Sequence, residues 1–254
     1  MSDDAPVLVA LADGVLNVTL NRPAKKNALN AAVIDGLHAA LERADLDAAV
    51  RVVAIRGADP DFCAGADLAE LLASADASPE ENERSALRLG EVFLRIRALP
   101  KPVVAVVQGR ALAGGCGLAT ACDIVLAAQT AQFGYPEIQR GFVPAMVMTL
   151  LRRLVGEKAA FDLVATGRPI EATEARELGL VSRVVPAHLI EAQAEELLGQ
   201  LARVSASALA LTKQLFYDLD GRSFAEGIAQ GARVNAVART TPDFRAAIER
   251  FLRK

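Results

Sequence analysis

Ala111-Leu112-Ala113-Gly114-Gly115-Cys116-Gly117 follows the apolar run Val103 to Val107, and Phe62-Cys63-Ala64-Gly65-Ala66-Asp67-Leu68 follows the apolar run Val50 to Ile55. Each stretch reads as a strand that ends in a glycine-rich turn and opens a helix. The first amides of a helix lack an intrahelical acceptor and lie at the positive end of its dipole, so they suit a negatively charged oxygen. Small residues let that oxygen reach the backbone. Ala64 N–H and Gly114 N–H, one from each turn, are the pair expected to converge as an oxyanion hole.

Around these turns the pattern is mixed α/β. Val7 to Leu11 and Gly14 to Leu20 read as strands joined at Ala12-Asp13, and Asn30 is placed to cap a helix from Ala31 to about Ala44. Ser78-Pro79-Glu80 opens a second helix that Pro100 and Pro102 stop near Leu99. Asp123 to Ala127 and Ala131 to Gly134 read as short strands. Beyond about Ile190 the pattern is helical throughout: Glu191 to Val204, Ala206 to Leu219, Ser223 to Arg239 and Pro242 to Arg253. Repeated strand, turn and helix units suggest a stacked or spiral α/β core.

With 254 residues, 52% of them apolar and 23% charged, the chain has the composition of a soluble globular protein with a sizeable core. No apolar stretch approaches bilayer length, and the acidic start Met1-Ser2-Asp3-Asp4 resembles neither a secretory nor a transit leader, so a cytoplasmic protein is expected. The net charge of −3 argues against a nucleic-acid surface. Arg22, Lys25 and Lys26 form a local basic cluster that suits the phosphates of one nucleotide-like carrier or stands simply as solvated charge. Cys63, Cys116 and Cys122 lack metal-type spacing and read as small buried hydrophobes. His38 and His188 adjoin no nucleophile motif, which disfavours a serine or cysteine triad. The second turn has neither G-x-G-x-x-G spacing nor the lysine of a phosphate loop.

Glu137 is the candidate acid/base. Pro136 fixes the backbone before it, and a glutamate shielded from water gains proton affinity. An exposed or salt-bridged glutamate is the plainer reading of the same residue.

Asn21-Arg22-Pro23, Lys26-Asn27-Ala28-Leu29, both glycine turns, Ala121-Cys122-Asp123, Gly134-Tyr135-Pro136-Glu137-Ile138, Gly141-Phe142-Val143-Pro144, Thr166-Gly167-Arg168 and the tail Phe251-Leu252-Arg253-Lys254 occur in one order and spacing. Taken together they resemble the crotonase superfamily, also called the enoyl-CoA hydratase/isomerase family. The resemblance implies a crotonase-like spiral of ββα turns over residues 1–190, with a C-terminal α-helical oligomerisation region over 191–254. It also implies a homotrimer, or a hexamer built as a dimer of trimers. It places the adenine of coenzyme A near Lys26, Ala28 and the backbone of Ala66, Asp67 and Leu68, and counts Pro136 among the substrate-binding residues. Phe251 and Lys254 match tail positions that meet the coenzyme A of a neighbouring subunit. Asp67 has a second reading, as the cap of the helix it precedes. No metal or redox cofactor is implied, since coenzyme A is part of the acyl-CoA substrate.

Glu137 matches one of the two catalytic glutamates of the hydratases. Where the other lies, this chain has Gly117, which is expected to make room for an acyl group or for a water held by backbone. The resemblance therefore implies a single-glutamate enoyl-CoA hydratase acting through an enolate held by Ala64 and Gly114. A Δ3,Δ2-enoyl-CoA isomerase is the alternative, and a non-catalytic acyl-CoA-binding protein is the reading from another class.

Overall fold

The computed structural model describes residues 5–253. β1 (Val7–Ala12) and β2 (Val15–Leu20) form a hairpin whose turn is Asp13-Gly14, one residue later than the sequence pattern suggested. Both turn residues have positive φ, 50° and 79°, which matches the twist of the flanking strands. Asn30 caps α1 (Ala31–Leu46) by accepting a bond from Val33 N at 2.9 Å, and Val33, Leu37, Ala40, Leu41 and Ala44 form its buried face. β3 (Val52–Gly57) leads through the first glycine turn into α2 (Leu68–Ala73). Ser78 and Glu81 form a capping box at the start of α3 (Pro79–Ala98), and the proline-flanked segment after it stops the helix.

β4 (Val103–Val107), β5 (Arg110–Leu112), α4 (Gly114–Ala121), β6 (Ile124–Ala128) and β7 (Gln132–Gly134) follow, and then a 3-10 turn over Pro136–Arg140. The chain continues through α5 (Ala145–Leu154), α6 (Glu157–Thr166), β8 (Ile170–Glu171), α7 (Ala172–Glu177) and β9 (Arg183–Val185) to four helices. These are α8 (Ile190–Arg203), α9 (Ala206–Asp218), α10 (Phe224–Ala238) and α11 (Pro242–Leu252). A six-stranded sheet has the order β1-β2-β3-β4-β6-β9 and is parallel apart from the β1/β2 hairpin; a three-stranded sheet has the order β5-β7-β8. Two successive passes of the chain add one strand to the large sheet and then one to the small, β4 then β5 and β6 then β7, and a third adds β8 to the small sheet and then β9 to the large. The result is a spiral.

Side chains alternate across the large sheet, and both faces are covered. Val53, Ile55, Ala105 and Val107 join the main core with α1, α3 and α4, while Val52, Ala54, Val104 and Val106 pack against Ile190, Ala194, Leu197 and Leu198 of α8. The change of pattern near residue 190 thus marks the end of α/β alternation, because α8 still belongs to the packed core. α9, α10 and α11 contain no fully buried residue. Polar bonds dock α9: Lys213 Nζ donates to Ile96 O at 2.7 Å, Lys101 O at 3.0 Å and Asp123 Oδ2 at 2.7 Å. Tyr217 OH donates to Asp123 Oδ1 at 2.8 Å, with Arg97 stacked 4.5 Å from its ring centre.

Candidate active site

The strands before the two turns run side by side and are pinned together. Arg110 makes a bidentate pair with Asp61, 2.8 Å on each arm, and the side chain of Asp61 is almost fully buried. Burial raises the proton affinity of the Asp61 carboxyl, but the Arg110 bonds and charge outweigh it and hold the group below its ordinary range. Cys63 N donates to Arg110 O and Leu112 N donates to Cys63 O, both at 2.9 Å. Gly115 packs so tightly here that a Cβ on it would overlap Cys63 O.

Along the first turn nearly every amide has an acceptor. Phe62 N donates to Gln108 O, Cys63 N to Arg110 O, Ala64 N to Lys26 O at 3.0 Å, Gly65 N to Cys63 Sγ at 3.5 Å, and Asp67 N to Leu29 O at 2.9 Å. Ala66 N–H is left over inside the turn, as is Leu68 N–H, the first amide of α2. The parallel bridge between Leu29 and Ala66 uses Gly65 O and Asp67 N, so the Ala66 amide itself points the other way. This corrects the expected oxyanion pair, since Ala64 N–H is committed to Lys26 O, while Ala66 N–H, two residues further on, is not.

In the second turn Ala113 N donates to Gly134 O at 2.8 Å, and Gly117 N donates back to Ala113 O at 3.0 Å. Gly114 N–H opens α4 with no partner among the described residues. The two donors lie close together: a Cβ on Gly114 would be 4.0 Å from Ala66 N, and one on Gly65 would be 3.4 Å from Gly114 N. Each donor follows a residue of positive φ, Gly65 at 96° and Ala113 at 51°. An alanine in that region is strained, by about 1–3 kcal/mol, and here it turns the next peptide so that its N–H faces out of the helix start.

Glu137 lies three residues beyond Gly134, whose carbonyl holds Ala113, so the β5/β7 pair ties the carboxylate to the second turn. Its side chain is buried, and Oε2 has no hydrogen-bond partner among the described residues. Burial pushes the Glu137 carboxyl above its ordinary range, opposed by its own backbone amide and the Arg140 charge. Tyr135 is fully buried two residues earlier, with its hydroxyl driven well above the usual range by burial.

Gly117 does not open a space. A Cβ there would overlap Val147 Cγ1 and lie 3.1 Å from Phe93 Cζ, so the room expected at this position is filled with hydrocarbon. Cys63, Cys116 and Cys122 are buried free thiols; burial raises Cys63 to about 12 and Cys116 to about 11, and raises Cys122 as well.

The basic loop is held by its neighbours. Arg22 donates to Ala28 O at 2.8 Å and to Asp67 Oδ2 at 2.9 Å, while Asp67 Oδ1 caps α2 through Ala69 N at 3.0 Å. The Arg22 hydrogen bond holds the Asp67 carboxyl below its ordinary range. Of the two readings of Asp67, the cap is therefore the one that is built, and both its oxygens are occupied. Lys25 and Lys26 are exposed, and Ala28 is buried between them and the first turn. Leu68 is exposed at the start of α2, Phe251 is exposed on α11, and Lys254 lies outside the described residues. Leu29, Leu89, Phe93 and Val147 sit against the donor helix without having been expected there; their apolar periodicity marks them as core and says nothing of which core residues face the turns. Two surface cavities, about 230 Å³ between α5 and α6 and about 340 Å³ beneath the start of α9, lie away from both turns. No helix among the described residues is long and apolar enough to cross a membrane.

An α/β spiral of this kind, followed by C-terminal helices, is the fold of the crotonase superfamily. Comparison with known proteins gives the same result. The chain belongs to the enoyl-CoA hydratase/isomerase family, an enzyme family, whose model, described as "Enoyl-CoA hydratase/isomerase", matches residues 11–254. It is 42% identical over 237 residues to a Thermus thermophilus protein named "Putative enoyl-CoA hydratase", covering 93% of this chain and 94% of that one. It is 37% identical over 249 residues to the Escherichia coli 2,3-dehydroadipyl-CoA hydratase, covering 98% and 96%. Among solved structures, an enoyl-CoA hydratase of Mycobacterium smegmatis superposes with a TM-score of 0.94 at 33% identity, covering 98% of this chain and 96% of that one.

Proposed function

We propose that this protein hydrates 2-enoyl-CoA thioesters, with Ala66 N–H and Gly114 N–H as the oxyanion donors and Glu137 as the only acid/base group. The observation that carries this reading is the approach of two acceptor-free amides from separate turns, tied through Gly134 to a buried carboxylate with an unpartnered oxygen. Glu137 takes a proton from water while the water oxygen bonds to the β-carbon. The C=C electrons move to the thioester oxygen, where the two amides hold the enolate. On collapse of the enolate, the Glu137 carboxyl returns its proton to the α-carbon, giving the 3-hydroxyacyl thioester. Relatives named as hydratases support the choice of reaction. Exposed Lys25 and Lys26 suit the phosphates of coenzyme A. The chemistry calls on no metal or redox cofactor. Exposed Phe216, Phe224, Ile228, Phe244, Ile248 and Phe251 on α9–α11 support assembly as a trimer or a pair of trimers.

A second reading is favoured by the hydrocarbon over Gly117, which leaves one carboxylate and suits a proton shuttle. In Δ3,Δ2 isomerisation Glu137 removes an α-proton from a 3-enoyl thioester and delivers it to the γ-carbon, with no water consumed. Turnover of crotonyl-CoA and of a 3-enoyl-CoA, measured side by side, separates the two reactions. Glu137→Gln is expected to reduce either reaction by about 10²–10⁴-fold while leaving coenzyme A binding intact. Near-normal turnover would move the role to another carboxylate.

The same variant has a stability signature. The folded-state pKa of Glu137 is raised, so its contribution is most favourable at low pH and is lost as pH rises through the folded value. Glu137→Gln is therefore expected to raise Tm at neutral pH, with the gain shrinking as acid protonates Glu137 in the wild type. A pH-independent difference in Tm would contradict the assigned burial.

A further inference from the structure

α3 and α4 lie side by side at the donor turn. A Cβ on Gly114 would be 3.4 Å from Leu89 Cδ2 and 3.5 Å from Leu29 Cδ1; one on Gly117 would be 3.4 Å from Phe93 Cε2 and would overlap Val147 Cγ1. Leu89 and Phe93 are four residues apart on α3, and Gly114 and Gly117 three apart on α4, so each pair shares one helix face. Together with Met146, whose sulfur would lie 3.2 Å from a Cβ on Gly90, these residues form one continuous apolar wall beginning at the oxyanion donor. Leu89, Phe93 and Val147 are all buried.

Three residues of helix rise about 4.5 Å. A thioester oxygen at Gly114 N–H lies beyond the start of α4, and side-group directions on a helix tilt back toward that same end, so an acyl group running from that oxygen along the wall would meet the face of Gly117 within its first few carbons. The space over Gly117 is thus where β-substituents of the acyl group would lie, and Val147 fills it. Resting on the acyl-CoA reading above, we propose that Val147 is a specificity-determining residue: its Cγ1 methyl, backed by Phe93, ends the acyl pocket over Gly117. It selects acyl groups that are unbranched at the β-carbon. Gly117 is glycine because Val147 occupies the volume of its Cβ, and the two positions form a size-exchange pair.

The test uses full-length wild type, Val147→Ala, Gly117→Ala and the double variant, with saturated butanoyl-CoA and 3-methylbutanoyl-CoA as non-reacting probes that differ by one β-methyl group. Val147→Ala is expected to improve the affinity for the branched probe relative to the linear one by at least about tenfold, the scale on which a hydrophobic pocket discriminates one carbon. Gly117→Ala is expected to lower Tm, and adding Val147→Ala to recover most of that loss, although each change alone destabilises. This exchange is read without ligand. An unchanged ratio of affinities in Val147→Ala would reduce Val147 to core packing and overturn the proposal, as would a double variant no more stable than Gly117→Ala. Failure of the wild type to bind either probe would overturn both this proposal and the acyl-CoA reading. A shifted ratio in a protein that turns over neither 2-enoyl nor 3-enoyl thioesters would uphold the wall and overturn the reaction alone.

Discussion

In the turn at 62–68 an uncommitted amide, Ala66 N–H, follows Gly65, with φ at 96°; in the turn at 111–117 another, Gly114 N–H, follows Ala113, with φ at 51°. Conformation therefore aligns Gly65 with Ala113 and Ala66 with Gly114, whereas matching the turns by their glycines would align Gly65 with Gly114. Both turns obtain an outward N–H by the same device, a residue of positive φ that rotates the next peptide. They differ in the residue that bears the strain. Glycine adopts that conformation freely, while alanine is held there by the Gly134 bond on one side and the helix start on the other.

The largest expected effect tests which amide is the donor. Ala66→Pro removes the N–H proposed to face the enolate and is expected to lower kcat/KM by about two to three orders of magnitude, with the fold checked by a melting curve. Ala64→Pro instead breaks the bond to Lys26 O, so its loss is expected in Tm, with kcat/KM per folded molecule falling far less. Equal losses of kcat/KM in both variants would end the alignment of the two turns by conformation.

Much of this was legible in the sequence. The α1 cap, the start of α3 at Ser78-Pro79 with its proline stop, and the β4 strand follow from local chemistry, and the structure reproduces them to within a residue or two. Strands of two or three residues, such as β5, β8 and β9, carry too few side chains for any periodicity to appear, and they form because neighbouring strands hold them. The commitment of Ala64 N–H to Lys26 O is hidden from the sequence for a related reason. Which amide is free depends on where Lys26 and Leu29 present their carbonyls, and those partners lie more than thirty residues away in the chain. Glu137 was visible as a residue, but its burial was not. Gly117 showed the missing carboxylate, yet only packing shows Val147 in its place.

A smaller effect tests the glycine half of the comparison. In Gly65→Ala the new Cβ would lie 2.7 Å from Ala113 Cβ and 2.9 Å from Leu112 O, and its φ of 96° strains any L side chain. Overpacking and backbone strain together are expected to destabilise by about 2–4 kcal/mol in a denaturant titration. A loss below about 0.5 kcal/mol would mean that the first turn tolerates what the second turn already contains, and that glycine is dispensable at position 65.

The smallest effect tests the alanine half. Ala113→Gly relieves a strain of about 1–3 kcal/mol, but it also gives the unfolded chain more freedom, by about 0.4–1 kcal/mol, and removes the methyl group that packs against Gly65. The net expectation is a gain of about 0.5–1 kcal/mol with turnover within twofold of wild type, because the Gly114 N–H keeps its direction through the bond from Ala113 N to Gly134 O. If Ala113→Gly gains stability and loses turnover together, then the alanine methyl holds the donor in place, and the strained residue serves the site by stiffening the turn. If it loses stability, packing against Gly65 outweighs the dihedral strain, and the two turns differ in how they fit together more than in how each is bent. Combining it with Gly65→Ala distinguishes these outcomes. Removal of the Ala113 methyl clears the 2.7 Å contact and leaves the 2.9 Å approach to Leu112 O, so only part of the Gly65→Ala loss should return.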